Sequence, residues 1–88
     1  MFVWDENKNT RNKAKHGLAF DAVYDFDWDN PVILDRSRHA DGESRFAAIS
    51  MLYGNVYTII FTRRADDIRI ISLRRSNKAE EKIYDQTT

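Results

Sequence analysis

Residues 45–53 and 56–63 are two stretches rich in aromatic and β-branched side chains, separated only by Gly54-Asn55. Glycine and asparagine tolerate positive φ, so the spacing predicts a β-hairpin closed by a type I′ or II′ turn. Arg64 to Asp67 predicts a further tight connection, into a strand from Ile68 to about Arg74. Val32, Ile33 and Leu34 form a shorter first strand after Asn30-Pro31, because proline is tolerated at the start of a strand. Asp35 to Glu43 is polar and is assigned to a loop. In the hairpin strands both side-chain faces carry apolar groups, such as Val56 and Ile60 against Tyr57, Ile59 and Phe61. A sheet wetted on one face alternates more cleanly, so one face is expected to pack on helices and the other to meet a groove or a partner chain.

Helices flank these strands. Asp5 is suited to cap a helix over about residues 6–15, with Gly17 as its left-handed C-terminal cap. Lys8, Arg11, Asn12 and Lys15 share one face of it, which reads as positive and not core-forming. A second helix over about residues 20–28 places Phe20, Val23 and Tyr24, with Asp27, on one inward side. Ser76 or Asn77 can cap a last helix running towards Tyr84, and Asn77 with Glu80 has capping-box spacing. The order predicts an α+β fold: N-terminal helices, an antiparallel sheet of about four strands with hairpin connections, and a C-terminal helix. At 88 residues this is one domain spanning 1–88, and 42% hydrophobic residues are enough for a compact core.

Lys plus Arg equals Asp plus Glu at 14 each, which taken whole argues against the usual basic nucleic-acid binder. The charge is unevenly placed, however. Residues 1–44 hold 6 basic and 9 acidic groups, residues 45–88 hold 8 and 5. Lys8, Arg11, Lys13 and Lys15 form an acid-free run, while Asp21, Asp25, Asp27, Asp29, Asp35, Asp41 and Glu43 crowd the middle. Arg63, Arg64, Arg69, Arg74, Arg75 and Lys78 then dominate residues 63–78. Local fields, not the sum, decide what each patch attracts. The acidic segment is a solvated face or a docking surface for a basic partner.

The chain has no cysteine, which removes disulfides, thiolate nucleophiles and cysteine-ligated metals. No apolar stretch is long enough for a membrane span and no secretory signal is present, so a cytoplasmic location is expected. With His16 and His39 as the only histidines, no dedicated metal site and no cofactor are expected. No serine lies in a nucleophile-elbow sequence, and there is no Gly-rich phosphate loop.

The set that can carry chemistry is Lys15-His16, Arg45, Arg64, Arg69, Arg74, Arg75 and Tyr84. Regular strand alternation puts Arg69 with Ile71 and Leu73 and puts Arg74 with Ile68, Ile70 and Ser72, so the arginines leave on both sides. Guanidinium groups hold phosphodiesters by paired hydrogen bonds and stabilise charge that develops on a phosphorane without a metal. His, Lys or Tyr nearby manages protons. Each residue also has a plainer reading: an arginine as a solvated or salt-bridged surface group, and His16 as a favourable partner of a helix C-terminus. Phe2 with Trp4 reads as a short lead-in strand or core anchor in preference to a base-stacking platform.

Phe2-Val3-Trp4-Asp5 with Lys8, Asn12, Lys15-His16-Gly17-Leu18, Phe20, Ala22, Phe26 and Pro31, then Arg38-His39, Gly42-Glu43 with Arg45, Thr62, Arg64, Arg69-Ile70-Ile71-Ser72, Arg74-Arg75, Glu80 and Tyr84 form a pattern over nearly the whole chain. It resembles the BrnT toxins, ribonuclease components of bacterial type II toxin–antitoxin systems with a RelE-like fold. Two positions depart from the family pattern, Ala65 where glycine is common and Leu73 where a small residue is usual.

The resemblance implies a metal-independent endoribonuclease that inhibits translation by 2′-OH attack. Arg64, Arg74, His16, Lys15 and Tyr84 are its catalytic candidates, and Lys8, Arg45, Arg69 and Arg75 its RNA-binding candidates. The implied partner is a BrnA-like ribbon-helix-helix antitoxin, in a heterotetramer, with operator DNA reached only through that antitoxin. The alternatives are a non-catalytic antitoxin-binding module that acts as transcriptional co-repressor, and an RNA binder without catalysis.

Overall fold

The computed structural model describes residues 1–37 and 44–87. Of the residues quoted above, Arg38, His39, Asp41, Gly42 and Glu43 lie outside the described residues, as does most of the expected Asp35–Glu43 loop. The elements in chain order are β1 (Phe2–Trp4), α1 (Glu6–His16), a 3-10 helix (Phe20–Asp25), β2 (Val32–Asp35), β3 (Phe46–Leu52), β4 (Asn55–Arg64), β5 (Asp67–Arg75) and α2 (Lys78–Thr87). The α+β class is as expected, but the sheet has five strands in the order β1-β5-β4-β3-β2. The added strand is β1, which pairs parallel with β5, Phe2 opposite Ile68 and Trp4 opposite Ile70. Three residues carry no readable alternation, and their partners are far along the chain. The other pairings are antiparallel.

The hairpin forms one residue earlier than the Gly54-Asn55 spacing suggests. Leu52 pairs with Asn55, and the turn residues are Tyr53 and Gly54, at φ 50° and 84°. Positive φ at both central positions is the I′ signature, and tyrosine accepts it here at a local cost. Two contacts hold that register: Leu52 is buried, and the Tyr53 hydroxyl donates to Asp25 at 2.5 Å. A one-residue slip would turn the strand's apolar set to the wrong face. Ala65, in the β4–β5 turn, also sits at a left-handed φ of 54°.

The second helix is shorter and tighter than expected. With three residues per turn, Phe20, Val23 and Phe26 fall in line and are buried, whereas Tyr24 turns outward and is 65% exposed. This element covers one sheet face, packing on Ala48, Leu52, Ile59, Phe61, Ile70 and Leu73. Phe2 stacks on Trp28 at 5.3 Å and Trp4 meets Phe20 edge-on, so both are core anchors. The other sheet face carries α2, tied down by a Thr58–Ser76 hydroxyl contact of 2.7 Å and by Glu80. The expected capping box is present: Asn77 Oδ1 accepts from the Glu80 N–H and Glu80 Oε1 accepts from the Asn77 N–H.

Helix α1 is capped as expected, by the Asp5 carboxylate on the Asn7 and Lys8 N–H groups and by left-handed Gly17. Its positive face is not wholly solvated, because Asn12 is buried there. The Asn12 amide donates to Leu73 O and Leu18 O and accepts from Leu73 N. It thereby continues the β5 edge where β1 has ended. Asn12→Ala would strand the Leu73 backbone polar groups, and we expect a loss of about 2 kcal/mol in urea unfolding.

A β-bulge in β5 decides where the arginines point. Ile60 pairs with Ser72 and Phe61 with Ile70, leaving Ile71 as an extra residue. Ile70 and Leu73 consequently both enter the core, while Arg69, paired with Thr62, and Arg74, paired with Thr58, emerge on the same face. Regular alternation would have sent Arg69 and Arg74 to opposite faces, so the expected two-sided distribution is corrected.

Candidate functional site

Between α1 and the β4–β5 end of the sheet runs a groove with two adjoining parts. One, of about 480 Å³, is lined by Lys8, Ser44, Thr62, Arg63, Arg64, Arg69 and Ile71. The other, of about 410 Å³, is lined by Lys8, Arg11, Asn12, Lys15, His16, Ile71 and Ser72. Lys8 and Ile71 belong to both and form the ridge between them. Among the described residues, no acidic side chain lines either part. The acidic Asp21 and Asp25 lie on the 3-10 helix across the sheet from α2. The neutral total therefore divides between separate surfaces, and the groove's own field is positive.

His16 sits at the end of α1 and is half-buried. Burial, then the charges of Lys15 and Arg74, push its pKa below the ordinary histidine value. It is neutral at physiological pH and carries a lone pair able to accept a proton. Lys15 follows the same helical turn into the groove.

Arg74 is near enough for its charge to act on His16, but its guanidinium is engaged. Its two terminal nitrogens donate to the two Glu80 carboxylate oxygens at 2.6 and 2.9 Å. Glu80 is 4% exposed and its pKa is lowered to about 2, chiefly by the Arg74 hydrogen bonds. Such a bidentate pair orients a guanidinium as well as neutralising it.

The remaining residues singled out from the sequence lie apart. Arg75 pairs with Tyr57 on the core-facing side of the sheet, and its guanidinium stands 5.7 Å over that ring. Arg45 precedes β3, with its backbone bonded to Ser37 Oγ and Arg36 N, and does not line the groove. Tyr84 lines a different depression with Asp27, Asn30, Pro31, Val32 and Thr87. The structure thus brings together Lys8, Lys15, His16, Arg64 and Arg69, with Arg74 beside them. Arg63, Ser44 and Thr62 join the lining without having been singled out as site residues, and only the Arg63-Arg64 doublet in a predicted turn signalled any of them.

Among the described residues no group of three His, Asp or Glu side chains is placed to hold a metal ion, and no helix is long and apolar enough to cross a membrane. Fold and groove define a small α+β protein with a concavity lined by several cationic side chains, the electrostatics of a protein that handles a polyanion. The chain belongs to the BrnT family: the family model described as the ribonuclease toxin BrnT of type II toxin–antitoxin systems matches residues 4–80. Such a toxin implies a protein antitoxin as its partner. The matched span includes the whole groove and Glu80 but stops short of Tyr84. No curated protein gives a significant match.

Proposed function

We propose that this toxin is a metal-independent endoribonuclease that cleaves RNA by attack of a 2′-OH on the adjacent phosphate and so inhibits translation. The observation that carries the reading is the groove in which Lys8, Arg64 and Arg69 adjoin a neutral His16, with no acidic side chain among the described residues that line it. His16 accepts the 2′-OH proton as the oxygen attacks phosphorus. The P–O5′ bond breaks with its electron pair, the Lys15 ammonium supplies a proton to that oxygen, and the products are a 2′,3′-cyclic phosphate and a 5′-OH. Lys8 and Arg11 hold the non-bridging oxygens, whose charge grows in the transition state, Arg74 adds positive potential beside His16, and Arg64 and Arg69 bind the strand alongside.

Incubation of the purified protein with RNA in EDTA is expected to give fragments ending in 2′,3′-cyclic phosphate. Intact RNA in EDTA, or cleavage restored only by a divalent metal, would overturn the mechanism. The partner in this reading is a BrnA-type ribbon-helix-helix antitoxin, assembled as a heterotetramer, that brings the toxin to operator DNA. One observation favours the non-catalytic co-repressor alternative: both terminal nitrogens of Arg74 are committed to Glu80. Growth arrest on expression alone, relieved by the antitoxin, separates the two, since a binding module would leave growth unaffected.

A further inference from the structure

The two parts of the groove present separate sets of cations. On one side of the Lys8–Ile71 ridge stand Arg64 and Arg69, with Ser44 and Thr62, while Arg63 borders this part but leaves the opposite face of β4, opposite Ile68 and beside Trp28 and Phe61. On the other stand Arg11, Lys15 and His16. A single phosphate has too few oxygens to satisfy both sets, and each part is large enough for one phosphate with its sugar. Ile71 offers an apolar step at the junction because the bulge places it on this face as an unpaired extra residue. Arg64 and Arg69 are both exposed and, among the described residues, neither is in an ion pair, although Arg69 lies near enough to Asp5 for its charge to help lower that carboxyl's pKa.

We propose that the groove holds two successive phosphates of one RNA strand, the scissile one beside His16 and its neighbour in the Arg64–Arg69 pocket, with Lys8 bridging them. The inference rests on the ribonuclease reading and adds to it a minimum substrate of two phosphodiesters, with Arg64 and Arg69 assigned to the uncleaved one. The flanking pocket contributes affinity and register while the chemistry occurs on the other side of the ridge. Neighbouring phosphates on a flexible single strand can meet both sets only if the sugar between them crosses Ile71, so the site selects a strand that is locally extended.

The test uses the whole protein and probes that cannot be cleaved: 2′-O-methyl dinucleotides and trinucleotides of randomised sequence, with one and two phosphodiesters, followed by fluorescence anisotropy. The trinucleotide is expected to bind about tenfold tighter. In the Arg64→Gln/Arg69→Gln variant that advantage should shrink to below about twofold. The salt dependence of trinucleotide binding should flatten by about 0.7 in log–log slope, the contribution of one single-strand phosphate. Both residues are exposed, and an unchanged melting curve for the variant verifies the fold. Equal binding of the two probes by wild-type protein, or an undiminished advantage in the variant, would overturn the second site. Because the readout is binding, a failure to cleave RNA in EDTA counts against the catalytic reading alone.

Discussion

Arg74→Ala is expected to destabilise the fold by about 3 kcal/mol, read as a shift of the urea midpoint at pH 7, because it leaves the Glu80 carboxylate buried without its cation. Glu80 is 4% exposed and receives both Arg74 hydrogen bonds together with the Asn77 N–H. The same pair makes stability pH-dependent. Unfolded, Glu80 titrates near 4.5, and folded it titrates at about 2. Above the unfolded value both states are ionised and the full contribution, about 3 kcal/mol, is present. As pH falls from about 4.5 towards 2 the unfolded state takes up the proton first, and the contribution is lost once pH passes below the folded value. The double variant Arg74→Met/Glu80→Leu removes both charges and is expected to recover most of the stability while showing a weaker acid dependence over that window. It also separates the scaffold from the chemistry. A cleavage rate lowered about a hundredfold in this stable variant would assign Arg74 to the transition state, and an unchanged rate would assign it to positioning α2.

His16→Gln is expected to lower the cleavage rate by a factor of roughly 10² to 10⁴, the usual cost of losing a positioned general base, with little change in the melting temperature. Because burial and the Lys15 and Arg74 charges lower the His16 pKa, the neutral base persists to lower pH than for an ordinary histidine. The rate should therefore climb with pH on an acid limb lying below the usual histidine range, and His16→Gln should abolish that limb. A variant that keeps both the rate and the limb would move the base to another residue.

Much of the local structure was legible because its causes are local. Asp5 and Gly17 bracket α1, Asn77 and Glu80 form their reciprocal cap, and the β3–β4 hairpin follows from two β-rich stretches around a glycine. The errors fall where a distant residue decides. The hairpin turn lies at Tyr53-Gly54, with Asp25 bonded to the Tyr53 hydroxyl. Tyr24 turned outward because the segment adopts a three-residue period in packing Phe20, Val23 and Phe26 on the sheet. Asn12 resembled a surface residue by its neighbours and proved to be the hydrogen-bonded joint between α1 and β5.

The candidate site divides in the same way. The sequence by itself determined the family, the cations available and the run of helices and strands that carries them, since residue identity and short-range spacing are properties of the chain alone. Which cations share a surface was a tertiary matter. The bulge at Ile71 turned Arg69 and Arg74 to one face, pairing with Tyr57 placed Arg75 on the other, and Glu80 claimed the Arg74 guanidinium from six residues away. A strand's alternation assigns faces only while its register is unbroken, and that register is set by β4, a separate segment of chain.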